Sequence, residues 1–219
     1  MALSKLTYNS LNVTAAASKG IGFDSDPDAL QADYSAGAMT FIKKLTASSS
    51  ATLSFVDGTS DVVLDNTYKE YLFTFNNIHP ATDTASFQFN MSVDSGSNYN
   101  VTKTSTSILY YHFESGSASG LQYDTNRDLA QGTGFQDITE QQDNDNDSSA
   151  SGTLTLFSPS STTFVKHFIT DSTMVRDGAK LYSAKNAGYG NTTSAVDAVQ
   201  FKMSSGNIDA GDICLYGIN

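Results

Sequence analysis

Phe87-Gln88-Phe89-Asn90-Met91-Ser92-Val93 alternates apolar and polar side chains without a break. A helix would scatter these apolar groups around its axis, whereas a strand gathers them on one face. The same two-residue period recurs along the chain. Leu53 and Phe55 share a face, and so do Tyr71, Phe73 and Phe75. Further strands are expected at 41–45, 106–113, 153–157, 163–169, 198–203 and 212–218. Turn chemistry separates several of them: Asp94-Ser95-Gly96-Ser97-Asn98 and Ser204-Ser205-Gly206-Asn207 both tolerate positive φ. No window of a dozen residues sustains a capped helical period. About eight or nine strands joined by turns predict an all-β fold, a jelly-roll-like antiparallel β-sandwich over residues 41–219.

Two stretches break the rhythm. Residues 1–40 hold Ala15-Ala16-Ala17 and the acidic turn Asp24-Ser25-Asp26-Pro27-Asp28. They are expected to form an N-terminal arm that attaches the domain by lying on a neighbouring subunit. Residues 114–152, rich in Ser, Gly, Gln, Asp and Asn, are expected to form a long surface loop, the place where recognition resides in β scaffolds.

Composition narrows the function. The formal net charge of -11 repels nucleic acid and anionic membrane, so neither is an expected partner. The single cysteine, Cys214, excludes an intramolecular disulfide and falls in a strand-like run. No run approaches the ~20 apolar residues of a spanning helix, and Met1-Ala2-Leu3-Ser4-Lys5-Leu6 lacks the layout of a secretion signal. Synthesis and assembly in a bacterial cytoplasm is therefore expected.

Few residues carry candidate chemistry. Asp143, Asp145 and Asp147 supply hard oxygen ligands of the kind calcium prefers. The helix-loop-helix calcium motif fails, because its glycine and glutamate places hold Ser148 and Leu154. A solvated turn is the competing account of these aspartates. The histidines, His79, His112 and His167, lie far apart, and the latter two read as packing residues within apolar strands. No nucleophile elbow, phosphate loop or dinucleotide fingerprint is present, so no catalytic residue and no organic cofactor is expected. Tyr110, Tyr111, Tyr123, Tyr182 and Tyr189 suit either a glycan platform or packing, and Tyr123 in the 114–152 segment is the glycan candidate.

Several segments are similar to virion proteins of tailed bacteriophages, marine ones in particular. They are Met1-Ala2-Leu3-Ser4-Lys5-Leu6, Thr67-Tyr68-Lys69-Glu70-Tyr71 and Asn76-Asn77-Ile78-His79-Pro80-Ala81-Thr82-Asp83. Val93-Asp94-Ser95-Gly96-Ser97-Asn98-Tyr99, Leu154-Thr155-Leu156-Phe157-Ser158-Pro159-Ser160-Ser161-Thr162-Thr163 and the ending Leu215-Tyr216-Gly217-Ile218 complete the set. The resemblance runs in order over most of residues 41–219. It implies a jelly-roll-like structural protein on the virion exterior, without a mapped active site. A decoration or cement subunit would contact the major capsid protein or other virion proteins and self-associate, as a homotrimer. The alternative is a tail- or fibre-associated module that binds a host surface glycan. A glycan hydrolase is a third reading, and it would need two carboxylates facing each other in a groove.

Overall fold

The computed structural model describes residues 22–23, 30–31, 38–176 and 179–219. The chain divides into two compact units, Met1–Gly37 and Ala38–Asn219. In the first, β1 (Gly22–Phe23) pairs antiparallel with β2 (Leu30–Gln31), with Phe23 opposite Leu30. Of the rest of the expected arm only residues 38–40 are described, and Met39 and Thr40 begin the first strand of the second unit.

The second unit holds twelve strands and, among the described residues, no helix. They are β3 (Met39–Thr46), β4 (Leu53–Val56), β5 (Glu70–Pro80), β6 (Phe87–Ser92), β7 (Lys103–Phe113), β8 (Ser119–Tyr123), β9 (Gln136–Asp137), β10 (Ala150–Phe157), β11 (Lys166–Arg176), β12 (Lys180–Gly190), β13 (Ala198–Met203) and β14 (Ile208–Ile218). They build an eight-stranded sheet of order β3-β14-β5-β10-β11-β12-β7-β8 and a four-stranded sheet of order β4-β13-β6-β9. Every pairing is antiparallel.

The order has a simple logic. β3 pairs with β14, β4 with β13, β5 with β10, and β6 with β9. These are the nested pairs of one long hairpin whose arms switch sheets together, which is jelly-roll topology. The hairpin β7–β8 is inserted between β6 and β9, and the hairpin β11–β12 between β10 and β13. Both insertions join the large sheet beside β10, where β12 pairs with β7. The sandwich expected from the sequence is thus present, with an extension from the inserted hairpins.

Alternation explains the core. Tyr71, Phe73 and Phe75 of β5, Leu154 and Leu156 of β10, and Ile213 and Leu215 of β14 point inward from the large sheet. Phe55, Phe87, Phe89, Met91, Val199 and Phe201 meet them from the small one. At ~25 cal/mol per Å² of apolar surface removed from water, each such ring contributes about 2 kcal/mol. Where β14 passes β5 the register shifts twice, and Gly211 sits in the bulge with φ 118°. A Cβ there would lie 2.6 Å from the Asn77 carbonyl oxygen, so both conformation and space require glycine.

Three sequence expectations are corrected. The segment 114–152 is not one surface loop. It contains β8, β9 and the start of β10, and Gln136, Ile138, Thr139, Gln142 and Asp143 within it are buried. β12, Lys180–Gly190, was not expected as a strand, because Lys180-Leu181-Tyr182-Ser183-Ala184-Lys185-Asn186 carries little β signal. It forms because β11 and β7 pair with it on both sides. His112 and His167 are exposed rather than packed: each lies on the opposite phase from its buried neighbours, Leu109 and Phe168.

Candidate functional site

The outer face of the large sheet is the first candidate, because the small sheet covers only the inner one. In-register partners run from Phe41 to Tyr216, Leu72, Thr155, Ile169, Ala187 and Thr106. Phe41 and Ile169 are 57% and 42% exposed, so this row presents apolar surface to its surroundings. The Phe41 and Tyr216 rings meet edge-to-face at 5.6 Å, which fixes both. A neighbouring row runs from Thr153 to Asp171, Lys185, Ile108 and Tyr123, with Lys185 Nζ 3.3 Å from Asp171 Oδ2. Leu121, Tyr110 and Leu181 add a further exposed apolar corner at the β8 edge.

Tyr123 lies on the edge strand β8, half exposed, and its hydroxyl donates to Asp128 Oδ2 at 2.7 Å. The hydrogen bond to that carboxylate holds the Tyr123 phenol above its ordinary pKa. Tyr110 and Leu121 stand beside it.

The three aspartates of the calcium candidate part company. Asp143 is buried, while Asp145 and Asp147 are exposed. Among the described residues no three His, Cys, Asp or Glu side chains form a group that could hold a metal ion. The segment is instead secured by its backbone: the Asp145 carbonyl accepts from Ser148 N–H at 2.8 Å and lies 3.1 Å from His79 Nε2. His79 Nδ1 lies 3.6 Å from Asp209 Oδ2. Asp147, His79 and Asp209 line a shallow cavity of about 350 Å³ between the two segments.

Beneath the extension, charges form a buried network that sequence reasoning missed. Arg127 Nε lies 3.1 Å from Asp124 Oδ2, its Nη1 donates to Asp137, and its Nη2 lies 3.4 Å from Glu140 Oε1. Arg176 Nη1 reaches the same Glu140 oxygen at 2.6 Å, and its guanidinium stacks 5.2 Å from the Tyr182 ring centre. Burial raises the Asp137 pKa, against the lowering by Gln88 and Arg127. These carboxylates are clamped by guanidinium groups and do not face each other across an open groove. The network ties the segment after β8 to the inner face of β11 and β12.

Two lysines are fully buried, Lys103 and Lys166. Lys103 Nζ lies 2.5 Å from Asn90 Oδ1 and 2.8 Å from the Val101 carbonyl oxygen. Burial brings its pKa down to about 7. Lys166 Nζ donates to the carbonyls of Phe164 at 2.7 Å and Thr192 at 3.2 Å, and burial lowers its pKa as well. A sequence signal did exist for both. Lys103 is in phase with Ser105, Ser107 and Leu109, so extending the expected 106–113 strand by alternation places it inside, while Lys166 falls within the expected 163–169 strand in phase with Phe168.

Cys214 is half buried on β14, a strand position as the sequence indicates. Comparison with protein-family models, with curated proteins and with solved structures finds no match.

Proposed function

We propose that this chain is a non-enzymatic structural protein of a tailed-phage virion. In this reading it is a decoration or cement subunit that bridges shell subunits on the capsid exterior and associates with itself as a trimer. The observation that carries the proposal is the outer face of the eight-stranded sheet. One side of that sheet is a packed aromatic core, while the other presents Phe41, Tyr216, Leu72 and Ile169 in one cross-strand row. A broad sheet face that carries apolar groups suits docking on a larger assembly better than enclosing a small substrate. Among the described residues β3 pairs only with β14, so its outer edge borders this face as a place where a neighbour can add. The segment similarities to phage virion proteins support the particle assignment, and the net charge of -11 supports protein rather than nucleic-acid or membrane partners.

Quantitative mass spectrometry of purified virions tests the proposal, by comparing copies of this chain with copies of the major capsid protein. A ratio near the capsid protein's own supports the decoration role, a far smaller one moves the protein to the tail, and absence from the particle refutes the assignment.

A second reading, a tail- or fibre-associated module that binds host surface glycan, is favoured by the exposed cluster of Tyr123, Leu121 and Tyr110 at the β8 edge. It expects binding to purified host polysaccharide that Tyr123→Ala abolishes.

A further inference from the structure

Phe164 is 71% exposed, more than any other large apolar side chain described. It belongs to the short connection between β10 and β11, and its backbone is held from both directions. Its N–H donates to Ser161 Oγ at 3.0 Å, and Thr163 N–H donates to the same oxygen at 3.2 Å. Its carbonyl accepts from the buried Lys166 Nζ at 2.7 Å, and that ammonium also binds the Thr192 carbonyl. Ser158 N–H closes the start of the loop on the Lys69 carbonyl at 2.7 Å. A fully buried lysine is a costly anchor for a surface loop, and here it fixes the backbone that lifts one aromatic ring out of the fold.

Two depressions flank the ring. One, of about 440 Å³, is lined by Asn66, Tyr68, Lys69, Ser160 and Thr162 beside Phe164. The other, of about 490 Å³, is lined by Phe157, Val165, His167 and Thr193 beside the same ring. Tyr68 is itself fixed, edge-to-face against Tyr71 at 5.7 Å. The ring therefore separates a hydroxyl- and amide-lined groove from a more apolar one, and both grooves are open to solvent.

We infer that Phe164 is the stacking platform of an oligosaccharide-binding site formed by these two grooves. A sugar ring has an apolar C–H face and a rim of hydroxyls, and the site offers an aromatic face beside clustered hydroxyl, amide and amine groups. Each groove has the volume of a small-ligand site, and their open shape suits consecutive units of a chain more than an enclosed molecule. A purely apolar partner would leave the hydroxyl-lined groove unmatched. The acidic charge of the chain disfavours polyanions, so the ligand class is an uncharged oligosaccharide. The site is separate from Tyr123, from which β11, β12 and β7 divide it in the sheet, and it does not depend on where the protein sits on a particle.

Saturation-transfer NMR and titration of the full chain with maltohexaose, cellohexaose, mannohexaose and N-acetylchitohexaose test it. Binding to at least one is expected, weakened roughly fivefold to tenfold by Phe164→Ala and retained by Phe164→Trp, with the melting temperature unchanged because the ring is exposed. Tyr123→Ala is expected to leave this binding intact. Failure of every oligosaccharide to bind, binding indifferent to Phe164→Ala, or loss through Tyr123→Ala alone would each overturn the inference.

Discussion

Lys103 Nζ and Asn90 Oδ1 lie 2.5 Å apart in the interior, so an amine ordinarily charged at neutral pH is held by a carboxamide and by the Val101 carbonyl. The Asn90 amide group in turn donates to the carbonyls of Tyr99 at 2.7 Å and Thr133 at 3.0 Å. One side chain thus joins β6 to the connections that follow β6 and β8, and its oxygen accepts from both Lys103 Nζ and the Met91 N–H, the latter at 2.9 Å.

That arrangement makes stability depend on pH. Burial puts the folded-state pKa of Lys103 at about 7, whereas an unfolded lysine titrates near ~10.4. Between those values the unfolded chain binds one proton more, so the Lys103 contribution to stability rises with pH, by at most about 1.4 kcal/mol per unit. Below about pH 7 both states hold the proton and the full cost of burying the charge is present. Thermal unfolding of the native chain and of Lys103→Met across this range is the check. The native chain should gain on the variant as pH rises, and a constant difference between the two would refute the account.

Arg127 contacts Asp124, Asp137 and Glu140 in a mostly buried setting. Arg127→Ala leaves these carboxylates with less compensation, and a loss of about 3–5 kcal/mol is expected in urea unfolding. Exposed Lys185→Ala, which breaks the pair with Asp171, should cost under ~1 kcal/mol. Equal effects of the two substitutions would contradict the structural role given to Arg127.

Phe201 is the hub of the aromatic core. Its ring meets those of Phe73 at 5.4 Å, Phe75 at 5.3 Å and Phe55 at 6.1 Å, and stacks on Phe87 at 5.6 Å. Phe201→Ala should destabilise by about 3–5 kcal/mol and Phe201→Leu by less, since more of the volume is kept. Chemical denaturation with both variants decides it: a Phe201→Ala cost near zero would show that the two sheets do not depend on this contact.

Gly152 pairs with Ser172 of β11 on one side, and on the other it adjoins a register shift between β10 and β5. A Cβ there would collide with the Asp171 carbonyl oxygen and come within 2.7 Å of the Ser172 Cα. Backbone cannot yield as a side chain does, so Gly152→Ala is expected to cost about 1–3 kcal/mol. An unchanged melting temperature would mean that this pairing is looser than the geometry indicates.

Strand identity was legible wherever alternation was strong. Phe87 to Ser92, Tyr71 to Phe75 and Ala198 to Met203 needed only the two-residue period, because one face of each is core. β12 was not legible, since its small and polar residues acquire strand geometry from two neighbours distant in sequence. Asp143, Asp145 and Asp147 illustrate the same limit for a site. Alternating carboxylates are visible in the sequence, but which of them turn inward depends on how the segment packs against β5.

The sequence by itself determined an all-β chain, the inward face of its strong strands and an acidic net charge, because period and charge are local properties. Tertiary structure alone decided the nesting of β3 with β14 through β6 with β9, and the addition of two hairpins to one sheet. It also decided the packing of Arg127 among three carboxylates and the exposure of Phe164. Those outcomes turn on contacts between residues far apart in the chain, where pairing and desolvation override what each side chain prefers alone.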